Sequence, residues 1–408
     1  MFYILLSAAL FLIPFFNVAF SIPCSFIFLI PLIVKSNQQE LTFLSGLMWG
    51  LCVFAIHCSW FLCMIFTKEI QVSAICLWIG TIGWLSVFSG IWFMMTRYSW
   101  TFSTLCFFLF VMYGCMIPLG QCDGYPFLSP LIPLCYYPKF LWCLKYLGTF
   151  IVLSCLILFQ VCLVQKKIIS SFLFLLPFLI GPFFYQEKII STPMHYLKPW
   201  WYGDKNPMFV GYRMAYDIRE AMMSRPDIAC ILMPESTFCF DVVEYEQFIS
   251  LWSDPDDDTI IMFGGHRCID GKNFNSCMCL QEGKIVYYYD KQHLIPFFET
   301  VPKICNMLGW EKLGISTNDR LHTPSCSKNN TDIFELYGQK YQIFICSELF
   351  FQAKPVKGFP IILIWNESWL CCEYMKNLAV LFIKYFEIKN DVPVLYASTG
   401  GRNNIQKP

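Results

Sequence analysis

The stretch YQIFICSELFF, residues Tyr341–Phe351, begins as an apolar run and ends with two reactive side chains. The run Tyr341–Ile345 is typical of a strand buried on both faces of a sheet. The thiol of Cys346 follows directly, and the carboxylate of Glu348 lies two residues further on. An acid this close to a cysteine, where a core strand ends, indicates a functional turn.

Other segments of the second half repeat this pattern of a short apolar run ended by polar or glycine residues. They are DIACILMPE at 227–235, DTIIMFGG at 258–265, KIVYYYDK at 284–291, FPIILIWNES at 359–368 and VPVLYASTG at 392–400. Between them, Gly211–Met223 and Cys372–Lys389 have the periodicity of amphipathic helices. Continuous apolar strands interleaved with helices predict a layered α/β domain over residues 186–408.

The chain as a whole is too apolar for an ordinary soluble protein. Of its 408 residues, 56% are hydrophobic and 14% are charged, and its mean hydropathy is +0.51. Residues 1–185 hold seven basic and three acidic residues, and the remaining 223 hold 48 of the 58 charges. This division predicts a membrane domain over residues 1–185. No basic face or basic–aromatic repeat indicates a nucleic-acid partner.

About seven apolar segments of the first half are predicted to span a membrane, since a span needs roughly 20 apolar residues. The run Met1–Val34 is broken by Pro14, Asn17 and Pro23, and it predicts two short spans that meet near Phe16–Ser21. The other five are Phe43–Phe66, Ile70–Met95, Thr101–Leu119, Leu147–Val164 and Ile168–Tyr185.

Basic residues in short loops set the predicted orientation of these spans. With a cytoplasmic N-terminus, four of them lie inside (Lys35, Arg97, Lys166 and Lys167) and three lie outside (Lys68, Lys139 and Lys145). The second half of the chain would then lie outside the cytoplasm. The start MFYILLSAALFLIPFF has no basic n-region or cleavage site, so we expect it to be retained. The loop Gly120–Tyr146 is either an interfacial segment or plain connecting structure.

Three strand ends of the second half each deliver one reactive side chain, Glu235, Lys291 and Cys346. Each alone is more often a surface charge or a packed thiol than a functional group. A free thiol has a pKa of about 8.5 and is only a few per cent ionised at neutral pH, so it needs activation. A carboxylate can accept its proton, and an ammonium group can stabilise the thiolate and a tetrahedral oxyanion. Together they predict an enzyme with a cysteine nucleophile.

The ordered set Glu235, Lys291 and Cys346 resembles the catalytic triad of the nitrilase (carbon–nitrogen hydrolase) superfamily. Four segments resemble motifs of its integral-membrane branch, apolipoprotein N-acyltransferase: MPES, YDKQHLIPFFETVP, ICSE and NESWL. The preceding apolar segments resemble that branch too, so the resemblance covers nearly the whole chain. It implies an αββα sandwich that faces the periplasm, above a bundle of helices in the bacterial inner membrane.

The resemblance also implies a reaction. Cys346 would attack an ester of a membrane phospholipid, and the acyl chain would pass from the thioester to the N-terminal amine of a diacylglyceryl-cysteine lipoprotein. Glu235 would act as general base. Lys291 would stabilise the oxyanion, helped by the backbone N–H of Ser347. No diffusible cofactor is implied, because the lipid itself supplies the acyl group.

Further positions match supporting residues of the family. Glu299 in PFFE matches a glutamate close to the triad, and Glu348 matches the acid two residues after the nucleophile. Glu348 would organise the nucleophile's turn, and capping of backbone donors by a loop carboxylate is the alternative. The resemblance offers three candidates for substrate binding: Trp201, Asn366 and Trp369.

Four features depart from the family's pattern. The family usually continues with more chain and a final membrane helix, whereas this sequence stops at Pro408. Ser347 stands where a tyrosine is usual, the pattern of the last helix is present only as KYFE, and the first strand is hard to find in EKIISTPMHYL. A shortened relative, as in plasmid conjugal transfer, therefore stays open as a carbon–nitrogen hydrolase or an acyl transferase on another substrate.

Two other classes of protein stay open. A non-catalytic membrane scaffold is the first, although all three triad residues keep their motif neighbours. A transporter would call for ionisable residues inside the spans, and His57 is the only one within a well-defined span. No metal site is predicted, because the close cysteine pairs 277/279 and 371/372 have no complementary histidine or cysteine pair.

Overall fold

The structure is a computed structural model. It describes residues 1–38, 41–59, 71–114, 126–188, 194–198, 206–225, 227–253, 258–294, 332–349, 355–370 and 372–405. The chain divides into two compact units. The first is Met1–Glu187 with Leu370–Asp391, and the second is Lys188–Trp369 with Val392–Pro408.

Apolar helices make up most of the first unit. They are Phe2–Phe16 (α1), Ser21–Ser25 (α2), Ile30–Gln38 (α3), Phe43–His57 (α4), Gln71–Met95 (α5), Trp100–Tyr113 (α6), Leu144–Val164 (α7) and Ile168–Phe184 (α8). Among the described residues, three segments are long and apolar enough to cross a bilayer: Val18–Gln38, Trp78–Met95 and Leu144–Val164. These three confirm the predicted helical membrane part.

The other four predicted spans coincide with the shorter apolar helices α1, α4, α6 and α8. Their crossing of a bilayer stays a prediction, and the predicted ends at 60–66, 70 and 115–119 lie outside the described residues.

Side-chain caps fix two of the helix starts: Thr42 accepts from the N–H of Ser45 at 3.2 Å, and Ser99 accepts from the N–H of Phe102 at 3.3 Å. In the described part of the loop 120–146, Leu131, Ile132 and Leu134 are fully buried, and the choice between an interfacial and a connecting segment stays a prediction.

One end of the first unit carries basic residues without any described acidic residue. The hydroxyls of Tyr113, at the end of α6, and Thr149, near the start of α7, lie 3.4 Å apart, so these helices are antiparallel. Trp100, at the start of α6, donates to Ser36 near the end of α3 at 3.1 Å. The end that holds Trp100 therefore carries four basic residues and, among the described residues, no acidic one: Lys35, Arg97, Lys166 and Lys167.

The opposite end of the first unit holds the helix Glu373–Asn390. Lys384 of this helix lies 3.3 Å from a carboxylate oxygen of Glu187, and Asp391 just after it lies 3.2 Å from Nζ of Lys145. The sequence predicts this helix, as part of the α/β half. In the structure it belongs to the first compact unit, and its apolar face is buried.

The described part of the second unit contains two sheets. Their strands are Met194–Tyr196 (β1), Cys230–Leu232 (β2), Phe238–Asp241 (β3), Ile260–Ile269 (β4), Lys272–Gln281 (β5), Lys284–Asp290 (β6), Ile333–Leu336 (β7), Gln339–Ile345 (β8), Ile361–Trp365 (β9) and Val394–Ser398 (β10). One sheet has the order β1-β2-β4-β5-β6, with β3 also paired to β4, and the other has the order β10-β9-β8-β7.

Strand direction brings functional ends together at the edges of these sheets. The strands β1, β2 and β4 are parallel, and β5 and β6 are each antiparallel to their predecessor, so β6 runs in the same direction as β2. In the second sheet, β8, β9 and β10 are parallel. The carboxyl ends of β2 and β6 therefore share one edge of the first sheet, and those of β8, β9 and β10 share one edge of the second.

Side chains from the facing sides of the two sheets form one hydrophobic core. They alternate along each strand, as the pleat requires, and include Cys230, Leu232, Met262, Cys277, Cys279, Tyr341, Ile343, Ile345, Ile362 and Ile364. The helix Pro207–Ser224 (α9) covers the other face of the first sheet through Val210, Met214 and Ile218. The predicted α/β domain is confirmed.

Candidate active site

Glu235, Lys291 and Cys346 each follow the carboxyl end of a different strand, namely β2, β6 and β8. Nζ of Lys291 lies 3.3 Å from Oε1 of Glu235, and Cys346 lies close enough to the same carboxylate to lower its pKa. The side chains of Lys291 and Glu235 are 0% and 3% exposed. The structure therefore brings together three residues that are far apart in the sequence.

The carboxylate of Glu235 has hydrogen-bond donors on both oxygens. Nδ2 of Asn275, in β5, donates to Oε1 at 2.7 Å, and the main-chain N–H of Asn366, just after β9, donates to Oε2 at 2.8 Å. Burial alone would raise the pKa of Glu235, but the charge of Lys291 and the hydrogen bonds from Asn275, Cys346 and Asn366 together lower it. Glu235 is therefore ionised at neutral pH, as a proton acceptor must be.

The turn that presents Glu235 is packed tightly against the neighbouring strand β4. The N–H of Gly264 donates to the carbonyl of Pro234 at 3.1 Å. A Cβ atom at position 264 would lie only 2.5 Å from Cα of Glu235. A side chain at this position would push the carboxylate out of place, so the close approach requires glycine.

Cys346 begins a short 3₁₀ turn, Cys346–Leu349, with its backbone in the left-handed region at a φ of 50°. A residue with a Cβ atom is uncommon in this conformation, which costs on the order of 1–3 kcal/mol. Glu348 helps to offset this strain, because its Oε2 accepts a hydrogen bond from the N–H of Ile345 at 2.8 Å. The turn keeps the half-buried thiol beside Glu235.

The other oxygen of Glu348 binds the chain segment around Lys291. Oε1 accepts from the hydroxyl of Tyr289 at 2.9 Å and from the N–H groups of Gln292 at 2.7 Å and His293 at 3.3 Å. One buried carboxylate thus caps backbone donors and joins the turn of the nucleophile to the segment of the lysine. Burial raises the pKa of Glu348 to about 7, although these donors and the charge of Lys291 act in the opposite direction.

Contacts before and after Lys291 fix its position in the chain. Asp290 accepts two hydrogen bonds of 2.8 Å from Nη2 of Arg267, and both side chains are buried. On the other side, the hydroxyl of Ser347 donates to the carbonyl of His293 at 3.0 Å. With the main chain held on both sides, the ammonium group has a defined position next to Glu235.

Asn366 contributes its main-chain N–H to the site, and its predicted role in substrate binding stays a prediction. Its N–H holds Glu235, while its side-chain oxygen accepts from the hydroxyl of Thr399 and the N–H of Ser368, both at 3.0 Å. The sequence predicts a substrate-binding role for this residue. In the structure the residue is 4% exposed and its side chain is hydrogen-bonded within the protein.

Three other predicted site residues fall wholly or partly outside what the structure describes. Trp201 and Glu299 lie outside the described residues. Trp369 ends the 3₁₀ turn Glu367–Trp369, and only its main chain is described. Their roles in substrate binding and in support of the triad stay predictions.

Sequence reasoning missed Asn275 and the pair formed by Arg267 and Asp290. Asn275 belongs to β5, whose stretch KNFNSCMCLQ does not have the continuous apolar pattern of the other strands. A buried asparagine and serine within a strand are the available signal, because a buried polar side chain needs a partner. Arg267 gives no comparable local signal, since a charged residue near the end of a strand is usually exposed.

The described residues contain no group of three or more His, Cys, Asp and Glu side chains that could hold a metal ion. Cys277 and Cys279, which form a close pair in the sequence, lie in the core between the sheets together with Cys230. Burial raises the pKa of all three thiols. They are protonated and fill the core as small apolar side chains.

No protein-family model and no curated protein matches the chain. Among solved structures, it is similar to a carbon–nitrogen hydrolase from Helicobacter pylori, with 15% identity and a TM-score of 0.37 over 50% of this chain and 72% of that one. It is also similar to an amidase of the nitrilase superfamily from Nesterenkonia, with 11% identity and a TM-score of 0.35 over 50% and 73%.

A third similar structure is a glutamine-dependent NAD+ synthetase from Acinetobacter baumannii. The identity is 14% and the TM-score 0.33, over 47% of this chain and 35% of the synthetase. The match thus spans about a third of that protein's length. At these identities and scores the similarities define neither a substrate nor a branch of the superfamily, so the lipoprotein branch stays a prediction.

Proposed function

We propose that this protein is a membrane-bound acyltransferase of the nitrilase type. Cys346 takes an acyl chain from a membrane phospholipid and passes it to the N-terminal amine of a diacylglyceryl-cysteine lipoprotein. One observation carries the proposal: the buried carboxylate of Glu235 forms an ion pair with Lys291 and lies beside Cys346, which follows the end of a strand of the other sheet. This set supplies a nucleophile, a base and a cation in one place.

In the first half-reaction, Glu235 accepts the proton of the Cys346 thiol while the sulfur attacks the ester carbonyl of the phospholipid. Negative charge develops on the carbonyl oxygen, where the ammonium group of Lys291 and the backbone N–H of Ser347 stabilise it. An oxyanion donor of this kind is worth about 3 kcal/mol. The protonated Glu235 then returns the proton to the departing alcohol oxygen, which leaves a lysophospholipid and a thioester on Cys346.

In the second half-reaction, the neutral amine of the acceptor attacks the thioester carbonyl. Glu235 accepts a proton from the attacking nitrogen, and Lys291 again stabilises the oxyanion. The carbon–sulfur bond breaks, Glu235 gives the proton to the departing sulfur of Cys346, and the product is an amide. General-base assistance of this kind typically accelerates a reaction by ~10²–10⁴.

The charges of the first unit support a periplasmic location of the active site. The positive-inside rule assigns the end with Lys35, Arg97, Lys166 and Lys167 to the cytoplasm. Glu187 lies at the other end of that unit, and the second unit begins with the next residue. An active site on that side of a bacterial inner membrane would meet both the phospholipid and the exported lipoprotein.

The proposal is tested with the purified chain in phospholipid vesicles. Intact-mass measurement should show one added acyl chain, and a synthetic diacylglyceryl-cysteine peptide should remove it and gain an amide-linked acyl group. Release of free fatty acid without acylation of the peptide would instead indicate a hydrolase, in which water replaces the amine at the thioester. No adduct at all would favour the scaffold. Growth of a bacterial strain depleted of lipoprotein N-acylation tests the same activity in cells.

A further inference from the structure

A second buried carboxylate, Glu367, lies at the same edge of the second sheet as Cys346. It follows β9 and is 1% exposed. Its Oε1 accepts from the hydroxyl of Ser398 at 2.7 Å, and its Oε2 accepts from Nη1 of Arg402 at 2.6 Å. The stretch STGGR, residues 398–402, thus supplies both partners of this carboxylate from the end of the neighbouring strand β10.

The chain after β10 is folded closely around Glu367. A Cβ atom at Gly400 would lie 1.6 Å from Oε1 of Glu367, so a side chain cannot be placed there. The turn closes on itself, because the N–H of Arg402 donates to the hydroxyl of Ser398 at 3.0 Å and that of Gly401 donates to the Ser398 carbonyl at 3.1 Å. The buried carboxylate of Glu367 therefore accounts for the glycine at position 400 and the arginine at position 402.

The same turn holds the peptide group that binds the base of the proposed reaction. The peptide group between Trp365 and Asn366 is bonded at both ends. Its carbonyl accepts from the N–H of Thr399 at 3.3 Å, and its N–H donates to Oε2 of Glu235 at 2.8 Å. The hydroxyl of Thr399 also accepts from the N–H of Glu367 at 3.1 Å. A rotation of this peptide group would weaken its bond to Glu235.

We infer that Glu367 and Arg402 are positioning residues: their ion pair fixes the turn at Thr399 and thereby aims the N–H of Asn366 at the base Glu235. This inference rests on the proposed function, in which Glu235 accepts the proton of Cys346. A buried ion pair contributes little to stability compared with apolar packing. Its effect on the orientation of one catalytic hydrogen bond gives it a function.

The electrostatic consequence has a definite sign. A donor to the ionised form of an acid lowers its pKa, so a weaker bond from Asn366 raises the pKa of Glu235. The other groups that face this carboxylate are Lys291, Cys346 and Asn275, and they remain in place when the ion pair is removed. Loss of part of a charge-assisted hydrogen bond should move the pKa upward by about 0.5–1 unit.

The test measures alkylation of Cys346 by iodoacetamide as a function of pH, with the full chain in phospholipid nanodiscs. Mass spectrometry of the Cys346 peptide gives the rate at this one thiol. The variants are Arg402→Met and, as a milder change, Thr399→Val, which removes the hydroxyl but keeps the shape. Arg225→Met is the matched control, because it removes an exposed ion pair of 3.7 Å with Asp227.

In the wild type, alkylation should slow as the pH falls through the pKa of Glu235. We call this fall in rate at low pH the acid limb. Arg402→Met and Thr399→Val should move the acid limb to higher pH by about 0.5–1 pH unit. Alkylation at low pH should then slow by up to about tenfold. Arg402→Lys keeps the charge, so its acid limb should lie close to that of the wild type. Arg225→Met should leave the limb unchanged.

Two results would overturn the inference in distinguishable ways. If Cys346 reacts readily but both variants keep the wild-type limb, even with a lower melting temperature, the ion pair is merely structural and only this inference fails. If Cys346 of the wild type reacts no faster than the exposed Cys239 and shows no acid limb, the proposed function fails, and the inference fails with it.

Discussion

Nζ of Lys291 lies 3.3 Å from Oε1 of Glu235, and both side chains are shielded from solvent. Removing two charges from water costs several kcal/mol for each ion, and their mutual attraction offsets this cost only while both charges are present. The pair is therefore not there for stability. The charge of Lys291 lowers the pKa of Glu235, and in the proposed reaction the pair would supply a base for the thiol and a cation for the oxyanion.

The first prediction concerns the nucleophile. Cys346→Ala should abolish formation of the acyl-enzyme, and Cys346→Ser should leave at most a trace, because a hydroxyl is far less acidic and less nucleophilic than a thiol. The measurement is the intact mass after incubation with phospholipid. Cys239→Ala removes an exposed thiol and is the control. An unchanged adduct on the alanine variant would exclude the mechanism.

The second prediction separates catalysis from stability at the ion pair. Glu235→Gln and Lys291→Met should each prevent acyl-enzyme formation and should each destabilise the protein by about 3–5 kcal/mol, since one buried charge is left without its partner. The double variant should regain much of the stability but none of the activity. Thermal unfolding and intact mass, measured on the same samples, check both statements. A double variant as unstable as the sum of the singles would contradict the argument.

Much of the second unit could be predicted from its apolar runs. The strands β2, β6, β9 and β10 lie within segments predicted as strands, and β4 and β8 overlap such segments but extend beyond them. The strand β5 was missed because Asn275 and Ser276, which serve buried polar contacts, interrupt its pattern. The strand β1 was missed because it has only three residues, Met194–Tyr196, and it is defined by pairing with β2 rather than by its own sequence.

Some residues of the candidate site could likewise be predicted from the sequence, and others could not. The side chains of Glu235, Lys291 and Cys346 could be predicted because reactive residues at the ends of strands lie in recognisable sequence motifs. The donor from Asn366 could not be predicted, because a main-chain N–H leaves no trace in the sequence and its direction depends on the pairing of β9 with β10. The ion pair of Glu367 with Arg402 depends on the same pairing and was missed for the same reason.

The third prediction concerns the amide that binds the base. Asn275→Ala removes a hydrogen bond of 2.7 Å to Glu235. A hydrogen bond to a charged group contributes about 1.5–3 kcal/mol, which corresponds to an upward shift of about 1–2 units in the pKa of Glu235. The acid limb of acyl-enzyme formation should therefore move to higher pH. Asn273→Ala, on the same strand, is the control, and equal limbs for both variants would refute the assignment.

The fourth prediction concerns orientation in the membrane. The positive-inside rule assigns the loop with Lys166 and Lys167 to the cytoplasm and Lys188 to the opposite side. Green fluorescent protein fused after Lys167 should fluoresce, since it folds in the cytoplasm. Alkaline phosphatase fused after Lys188 should be active, since it needs the oxidising periplasm. The reverse pair of results would place the proposed active site in the cytoplasm and remove the lipoprotein as its acceptor.

The fifth prediction concerns the acid that joins the two turns of the site. Burial holds the pKa of Glu348 at about 7 in the folded protein, above its value of about 4.3 in an unfolded chain. Between these values the folded state binds more protons, so its stability should fall as the pH rises from about 4.5 to 7 and should level off above, by about 3 kcal/mol in total.

The readout of this fifth prediction is the difference in melting temperature between wild type and Glu348→Gln across pH 4.5–8. The glutamine cannot titrate, so the wild-type loss of stability with rising pH should be absent from the variant. The variant should also be less stable at low pH, because its amide nitrogen would face either the N–H of Ile345 or the donors around Tyr289. Glu335→Gln changes an exposed glutamate of β7 and should keep the wild-type slope. Parallel curves for the wild type and Glu348→Gln would mean that the acid is ionised throughout, so that its four hydrogen bonds outweigh burial.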